Sequence, residues 1–470
     1  MVIRRSNDGA SRPGQLSVTN KRAAGIDVHA AEHWVAVPPE AVAGTAVDPS
    51  SNLPLHVRRF GTFTADLEAL ADWLQECGVT TVAMESTGVY WIPVFELLER
   101  RGLQVILVDP RQMSRVPGRP KSDFLDCQWI QRLHSYGLLA ASFRPQDQVV
   151  ALRSYLRQRQ MLIGYASQHV QHAQKALEQM NVKLTEVVSD VMGVTGQAII
   201  RAILKGERDP QSLASLRQPH CKRSLEEIAK ALHGNWRAEH LLALRQAIAL
   251  YDFYHRQLHD CDAALAAHLQ TFADRSEGRE LPPRSSKKTK RRANEPGFDV
   301  RAALYRMCGQ DLTVIEGIDT NTSLVILSEI GSDMSKWPTV KHFVSWLGLC
   351  PQHRGSAGKI RSRRIRRGSS RAGRALRLAA QGCYHAKNAL GAFYRRIQAR
   401  SGGPKAVVAT ARKIGERVYR LLKYGESYVR QEMAAYEAKY RDRVVRGLTR
   451  KARELGFELV ATASAASALS

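Results

Sequence analysis

Four carboxylates, Asp27, Glu85, Asp123 and Asp126, stand where neighbouring elements could gather them. Asp123 and Asp126 lie three apart in Lys-Ser-Asp-Phe-Leu-Asp. If Ser122 caps a helix running on through Trp129 and Leu133, both project from one face of its first turn. Asp27 belongs to a first strand, and Glu85 to the C-terminal edge of a fourth, where open α/β sheets commonly carry ligand-binding groups. Such a cluster could hold two Mg²⁺ ions about 3.5–4 Å apart, activating an attacking oxygen and stabilising a leaving one. Four carboxylates without a nearby His or Cys set suit Mg²⁺, with Mn²⁺ as a substitute, better than zinc. Singly, each acid reads as a helix cap or a solvated side chain; the four together point to metal-dependent phosphodiester chemistry.

A second feature is the basic segment Gly348 to Leu378, GLCPQHRGSAGKIRSRRIRRGSSRAGRALRL. Ser356 sits between Gly355 and Ala357-Gly358, amid Arg354, Lys359, Arg361, Arg363, Arg364, Arg366 and Arg367, with Arg371 and Arg374 beyond. A hydroxyl there could approach a phosphate while the guanidinium groups stabilise developing charge. A loop that merely clamps backbone phosphate explains the residues equally well, because Ser362, Ser369 and Ser370 lie close by. Lys121, beside the second acid pair, is a further candidate phosphate contact.

Composition narrows the partners. The 470 residues carry 70 Lys and Arg against 44 Asp and Glu, a formal charge of +26. That excess is unusual for an enzyme of small metabolites and natural for one that meets polyanions. It is concentrated: 82 residues between Asp333 and Glu416 hold 19 Lys or Arg and no acid. Seven scattered cysteines, never in Cys-x-x-Cys, indicate neither a disulfide framework nor a structural zinc site. No apolar run approaches the roughly 20 residues of a membrane span. The basic start lacks the apolar core of a signal peptide, so a cytoplasmic location is expected.

The elements that must position these residues follow from periodicity. A basic leader, 1–22, precedes strands over Ala23 to Val28, His33 to Val37 and His56 to Phe63, a helix over Asp66 to Cys77, and a strand over Thr80 to Met84. A helix over Trp91 to Arg101 and a strand over Val105 to Val108 complete a region, 23–145, with the order of a ribonuclease-H-like mixed α/β sheet, an order that other α/β folds share in part. Residues 146–280 read as a helical hairpin or imperfect coiled coil, with Leu244, Tyr251, Leu258 and Leu265 seven apart and a poor second seam at Ile248, His255 and Asp262. A basic linker, 281–299, leads to a mostly α-helical domain, 300–440. There Thr313 to Gly331 places a Gly-Ile turn between two short helical patterns, and Ala372 to Arg396 and Lys405 to Lys423 read as helices. Residues 441–470 read as a helix and a low-complexity tail.

In order, these motifs resemble one family: the IS110-family insertion-sequence transposases, bridge-RNA-guided recombinases with an N-terminal RuvC-like DEDD domain and a C-terminal serine-bearing domain. GIDVHAAEHWVAV matches at the first acid, Asp27; AMESTGVYWIPVFELLERRGLQVILVDPRQ matches at Glu85, within Glu-x-Thr/Ser-Gly-x-Tyr. KSDFLDCQWI supplies Asp123 and Asp126 as Lys-x-Asp-x-x-Asp. VIEGIDTNTSLVILSEIG, FVSWLGLCP, RRGSSRAGRALRLAA and VVATARKIGERVYRLLKYG follow in the family's order, and Ser356, five residues after Pro351, matches its nucleophilic serine. The resemblance spans Gly25 to Pro145 and Leu312 to Gly425. Its departures are a longer middle region, Gly-Ile-Asp for Gly-Ile-Gly, and Arg-Arg-Gly-Ser for Lys-x-Gly-Asn.

The resemblance implies that the four acids bind Mg²⁺ and that Ser356 attacks the DNA backbone, forming a phosphoserine before strand exchange. It implies a site shared between protomers of a dimer or tetramer, and a noncoding bridge RNA that selects target and donor DNA. It also implies a bacterial or archaeal, nucleoid-associated setting. Two other readings fit the residues: a metal-dependent Holliday-junction-type nuclease using activated water, with Ser356 as a phosphate clamp, and a non-catalytic nucleic-acid-binding scaffold.

Overall fold

The computed structural model describes residues 17–42, 46–49, 51–86, 88–110, 122–283, 294–352, 354–356, 359–362, 364–365 and 370–460. The chain divides into two compact units, Met1–Arg144 and Pro145–Ser470. The leader up to residue 16, most of the basic linker and the final ten residues lie outside the described residues.

The first unit is a five-stranded mixed sheet of β1 (Ala23–Val28), β2 (Glu32–Ala36), β3 (Val57–Gly61), β4 (Thr81–Glu85) and β5 (Gln104–Val108), in the order β3-β2-β1-β4-β5. β1 pairs antiparallel with β2 and parallel with β4; β2–β3 is antiparallel and β4–β5 parallel. This is the ribonuclease-H-like arrangement expected from the element order. All six residues of β1 are buried, because helices cover both faces of this central strand. Ala24, Ile26 and Val28 face one core, which includes α1 (Thr64–Glu76) through Leu67, Leu70 and Leu74, and α2 (Trp91–Arg100) through Val94 and Leu98. Gly25 faces α3 (Asp123–Ser135). On the same side of the sheet, Ala83 and Val108 pack against Ile130 of α3.

Among its described residues, the second unit is helical apart from one hairpin. It begins with an antiparallel pair of long helices: α4 (Asp147–Gln179) runs against α9 (Ala238–Gln270). Gln148 near the start of α4 bonds Thr271 O and His268 beyond and at the end of α9, while Leu177 at the far end of α4 shares a core with Leu244. Between them, α5 (Leu184–Val187), α6 (Val194–Lys205), α7 (Pro210–Ser215) and α8 (Leu225–Ala231) close that end through Leu184, Ile199, Ile203, Leu213 and Ile228. The expected seam is buried at Leu244, Leu258 and Leu265. Asp262, the misfit of the second seam, is buried because Arg159 of α4 pairs with it and Gly297 N donates to it at 2.7 Å. A buried carboxylate so partnered holds the helices in register rather than breaking them apart.

Beyond Val300 come α10 (Val300–Cys308), α11 (Thr320–Ile330), α12 (Val340–Trp346), a hairpin of β6 (Arg354–Ser356) and β7 (Lys359–Ser362), then α13 (Arg371–Gly382), α14 (Ala389–Ser401), α15 (Gly403–Tyr424) and α16 (Glu426–Glu454). Two expectations need correction. The Gly-Ile turn lies between a single 3-10 turn, Leu312–Val314, and α11, not between two helices. Asp319 there caps α11, accepting from Thr322 N at 2.8 Å, which is why an acid suits this position. The helix expected over Ala372 to Arg396 breaks after Gly382 into a 3-10 turn, Cys383–His385, and restarts where Asn388 accepts from Gly391 N at 2.9 Å. Periodicity could not show the break, because apolar residues continue on both sides of it.

Candidate metal centre

Register places the first carboxylates. β1 and β4 run parallel with Ile26 opposite Met84, so Asp27 and Glu85 are the next residue on each strand and leave the same end of the sheet. In both strands the alternate residues, Ile26 and Met84, belong to the opposite core. Asp27 and Glu85 therefore lie on the face that α3 covers. α3 begins at Asp123 with Ser122 in the capping position, as expected, although its hydroxyl makes no capping bond. The first turn of α3 thus stands over the ends of the two strands.

Asp27, 7% exposed, has Oδ2 3.1 Å from Nε2 of His29. The same ring nitrogen is 3.5 Å from Oδ1 of Asp123, which is exposed. One donor atom from each of Asp27, His29 and Asp123 falls within 4.8 Å of the others. Burial pushes the Asp27 carboxyl above the ordinary carboxylate range; His29 opposes this, while the charges of Glu85 and Asp123 push it further up. Three of the four expected acids are thus electrostatically coupled, and Asp126, half-buried one turn along α3, is not among the three donors that meet. A divalent cation at this cluster would relieve the mutual repulsion of its carboxylates, so the donor set fits one.

His29 adds an imidazole beside the expected carboxylates. The signal was present in the sequence: Asp27-Val28-His29 at the end of a strand puts positions 27 and 29 on one face. An imidazole beside two carboxylates admits Mn²⁺ as readily as Mg²⁺ and weakens the case against zinc. Cys127 lies beneath the cluster, but burial, then the charges of Asp27 and Asp123, hold its thiol up at about 12. It packs as a neutral side chain and offers no thiolate.

Ser356 and the expected basic contacts lie in the second unit. Ser356 ends β6, opposite Lys359 of β7 in backbone register. It therefore stands at the tip of a two-stranded hairpin rather than in an open loop. Gln352 N donates to Arg364 O at 3.0 Å and Pro351 bridges to Ile365, extending the hairpin base. Arg354, Lys359 and Arg361 belong to these strands, and Arg364 is exposed beside them. Lys121, Arg363, Arg366 and Arg367 lie outside the described residues. Arg371 and Arg374 are exposed on α13, the former donating to Gln160 at 2.9 Å. Arg377, one further step of three along the same helix, was missed. It donates to Gly348 O at 3.2 Å, and burial with the nearby charge of Arg374 lowers its pKa. Its spacing from Arg371 and Arg374 was the available signal. Among the described residues, no helix is long and apolar enough to cross a membrane.

Comparison with known proteins finds a match in each of the two units. Residues 24–182 match the DEDD domain described as "Transposase" for IS110 elements, and residues 309–395 match "Transposase IS116/IS110/IS902 family". Over 128 residues the chain is 30% identical to the "Insertion element IS110 uncharacterized 43.6 kDa protein" of Streptomyces coelicolor, covering 27% of this chain and 31% of that relative. The alignment thus spans about a third of the relative's length. The stretch that matches the first of these models, 24–182, holds the Asp27–His29–Asp123 cluster, and the stretch that matches the second, 309–395, holds the Ser356 hairpin.

Proposed function

We propose that the protein is a DNA transposase of an insertion sequence, cutting and rejoining DNA through a covalent bond between Ser356 and the backbone. The observation that carries the reading is the convergence of Asp27, His29 and Asp123, with Glu85 coupled to them, in a chain whose residues 309–395 match a transposase family and hold the basic segment around Ser356. Asp27, Glu85, Asp123 and Asp126, with His29, would hold Mg²⁺ or Mn²⁺. When bound, such an ion supplies Lewis-acid stabilisation of charge on the reacting phosphate.

The residues of the chain do the rest. The Ser356 hydroxyl oxygen bonds to phosphorus, the bond from phosphorus to the departing nucleoside oxygen breaks, and that oxygen ends with the proton serine gave up. Reversal of the step on a second DNA end rejoins the strands. Arg354, Lys359, Arg361, Arg363, Arg364, Arg366, Arg367, Arg371 and Arg374, with Lys121, neutralise phosphate along the bound strands. The resemblance supports a noncoding bridge RNA as guide, and a dimer or tetramer in which the acids of one protomer meet the serine of another. The acid-free stretch of 82 residues suits a surface that meets RNA and DNA together.

The test is capture of a DNA–protein adduct on a denaturing gel, using element-junction DNA, the flanking noncoding RNA and Mg²⁺, with wild type beside Ser356→Ala. An adduct from wild type alone supports the reading, and its loss when the RNA is omitted supports guidance. Cleaved DNA without adduct from either protein refutes the serine step and favours a water-using nuclease.

A further inference from the structure

Helix α3 carries residues on two opposed faces. Asp123, Cys127, Ile130 and His134 recur on the side that covers the sheet. Each residue turns about 100° around a helix, so Gln128, Trp129, Arg132 and Tyr136 fall on the side roughly opposite. These four, with Lys21 and His56, line a cavity of about 1020 Å³ within the first unit. That volume is at the upper end of the roughly 300–1,000 Å³ usual for ligand sites. It exceeds the needs of a water cluster or a simple anion.

The lining has a consistent chemistry. Trp129 and Tyr136 are half-buried aromatics, and Lys21 and Arg132 are exposed cations, against one lining carboxylate among the described residues, Glu40. His56 is 6% exposed, with Nε2 3.2 Å from Gln128 Oε1. Gln128 donates its amide to Phe124 O at 3.0 Å, so its oxygen faces the ring and Nε2 carries the histidine proton. Nδ1 is then an acceptor with no partner among the described residues. Nδ1 is itself closed off from solvent, so the His56–Gln128 pair forms part of the cavity's wall rather than a contact for its occupant.

We propose that this cavity takes an unstacked nucleobase of single-stranded nucleic acid, stacked on Trp129 or Tyr136, with Lys21 and Arg132 on the adjoining phosphates. Aromatic rings interleaved with cations recognise single strands, whose bases are free to leave the stack. A duplex cannot offer its bases this way. The shared ligand chemistry is a single-stranded nucleotide, supplied by RNA or by an unpaired DNA strand. The proposal depends on neither the metal nor Ser356, so it can fail while the transposase reading stands, and the reverse.

The experiment measures equilibrium binding of the full-length protein, at fixed salt, to labelled oligouridylate, oligothymidylate and a blunt DNA duplex. Trp129→Ala should weaken one or both single strands by about tenfold or more while changing duplex affinity less than about twofold. Loss confined to oligouridylate identifies RNA as the source, and loss confined to oligothymidylate identifies DNA. Trp129→Phe should keep most of the affinity, which separates stacking from folding damage. Equal loss on all three probes, or none on either single strand, overturns the proposal. Photocrosslinking of wild type to 5-iodouracil-substituted strands needs no variant: adducts should map to the peptide holding Trp129 and Tyr136, and mapping only elsewhere refutes it.

Discussion

Gly25→Ala tests whether the approach of α3 to β1 builds the candidate metal centre. A Cβ at Gly25 would lie 2.2 Å from Gln131 N and 2.5 Å from Cys127 O. Both are backbone atoms of α3, so no side chain can swing aside. Ordinary contact begins near 3.4 Å, so something must retreat by about 1.2 Å at the tighter point. β1 is paired on both edges, to β2 and β4, and the helix is the freer partner. Asp123 lies one turn from Cys127, and its 3.5 Å separation from His29 should widen by a comparable amount. Overpacking of this kind costs about 1–3 kcal/mol. For a unit of this size that lowers the melting temperature by roughly 2–12 °C. Calorimetric melting in EDTA, paired with Mn²⁺ titration, reads both consequences. A variant that melts within about 1 °C of wild type and binds Mn²⁺ equally would refute the reasoning.

Three further outcomes follow from named side chains. Asp27 has a folded pKa raised above its ordinary 3.8, so its contribution to stability is complete below that value and is lost as pH rises through the folded value. Asp27→Asn should therefore melt higher than wild type at pH 7 in EDTA while losing cation binding, and an equal or lower melting point there would contradict the assigned repulsion. His134 has the opposite sign: burial lowers its pKa below 6.5, so the stability it contributes is complete above that value and is lost as pH falls through the folded value. Its Nε2 donates to Thr81 Oγ1 at 2.9 Å, since that hydroxyl already donates to Gln104 O. His134→Gln should flatten the melting profile between neutral and mildly acidic pH, and an unchanged slope would exclude His134 as the cause. In the second unit, Arg159→Ala leaves Asp262 buried without its guanidinium and should cost about 3–5 kcal/mol. Pairing Arg159→Met with Asp262→Leu should recover most of that in urea melts, and no recovery would mean the pair is not the source.

Much of this protein was decided within a few residues of chain. β2 alternates in burial and β5 is rich in β-branched residues, so strands like these and the strand-end positions of Asp27 and Glu85 were legible locally. The three-residue spacing of Asp123 and Asp126 likewise reported a shared helical face. Periodicity states which side of an element is covered, but not by what. The meeting of His29 with Asp27 and Asp123 depends on how closely α3 lies on β1, and that distance is set by the missing Cβ of Gly25 against backbone atoms more than a hundred residues away. Asp262 looked like a flaw in a heptad seam until Arg159, on the other long helix, supplied its countercharge. The break after Gly382 was invisible because apolar residues continue through it, and only the packing of α13 and α14 against α15 decides where one helix ends. Local sequence sets the kind of element and the face it buries; distance between faces is a property of packing, and the coupling of Asp27, His29 and Asp123 is a matter of distance.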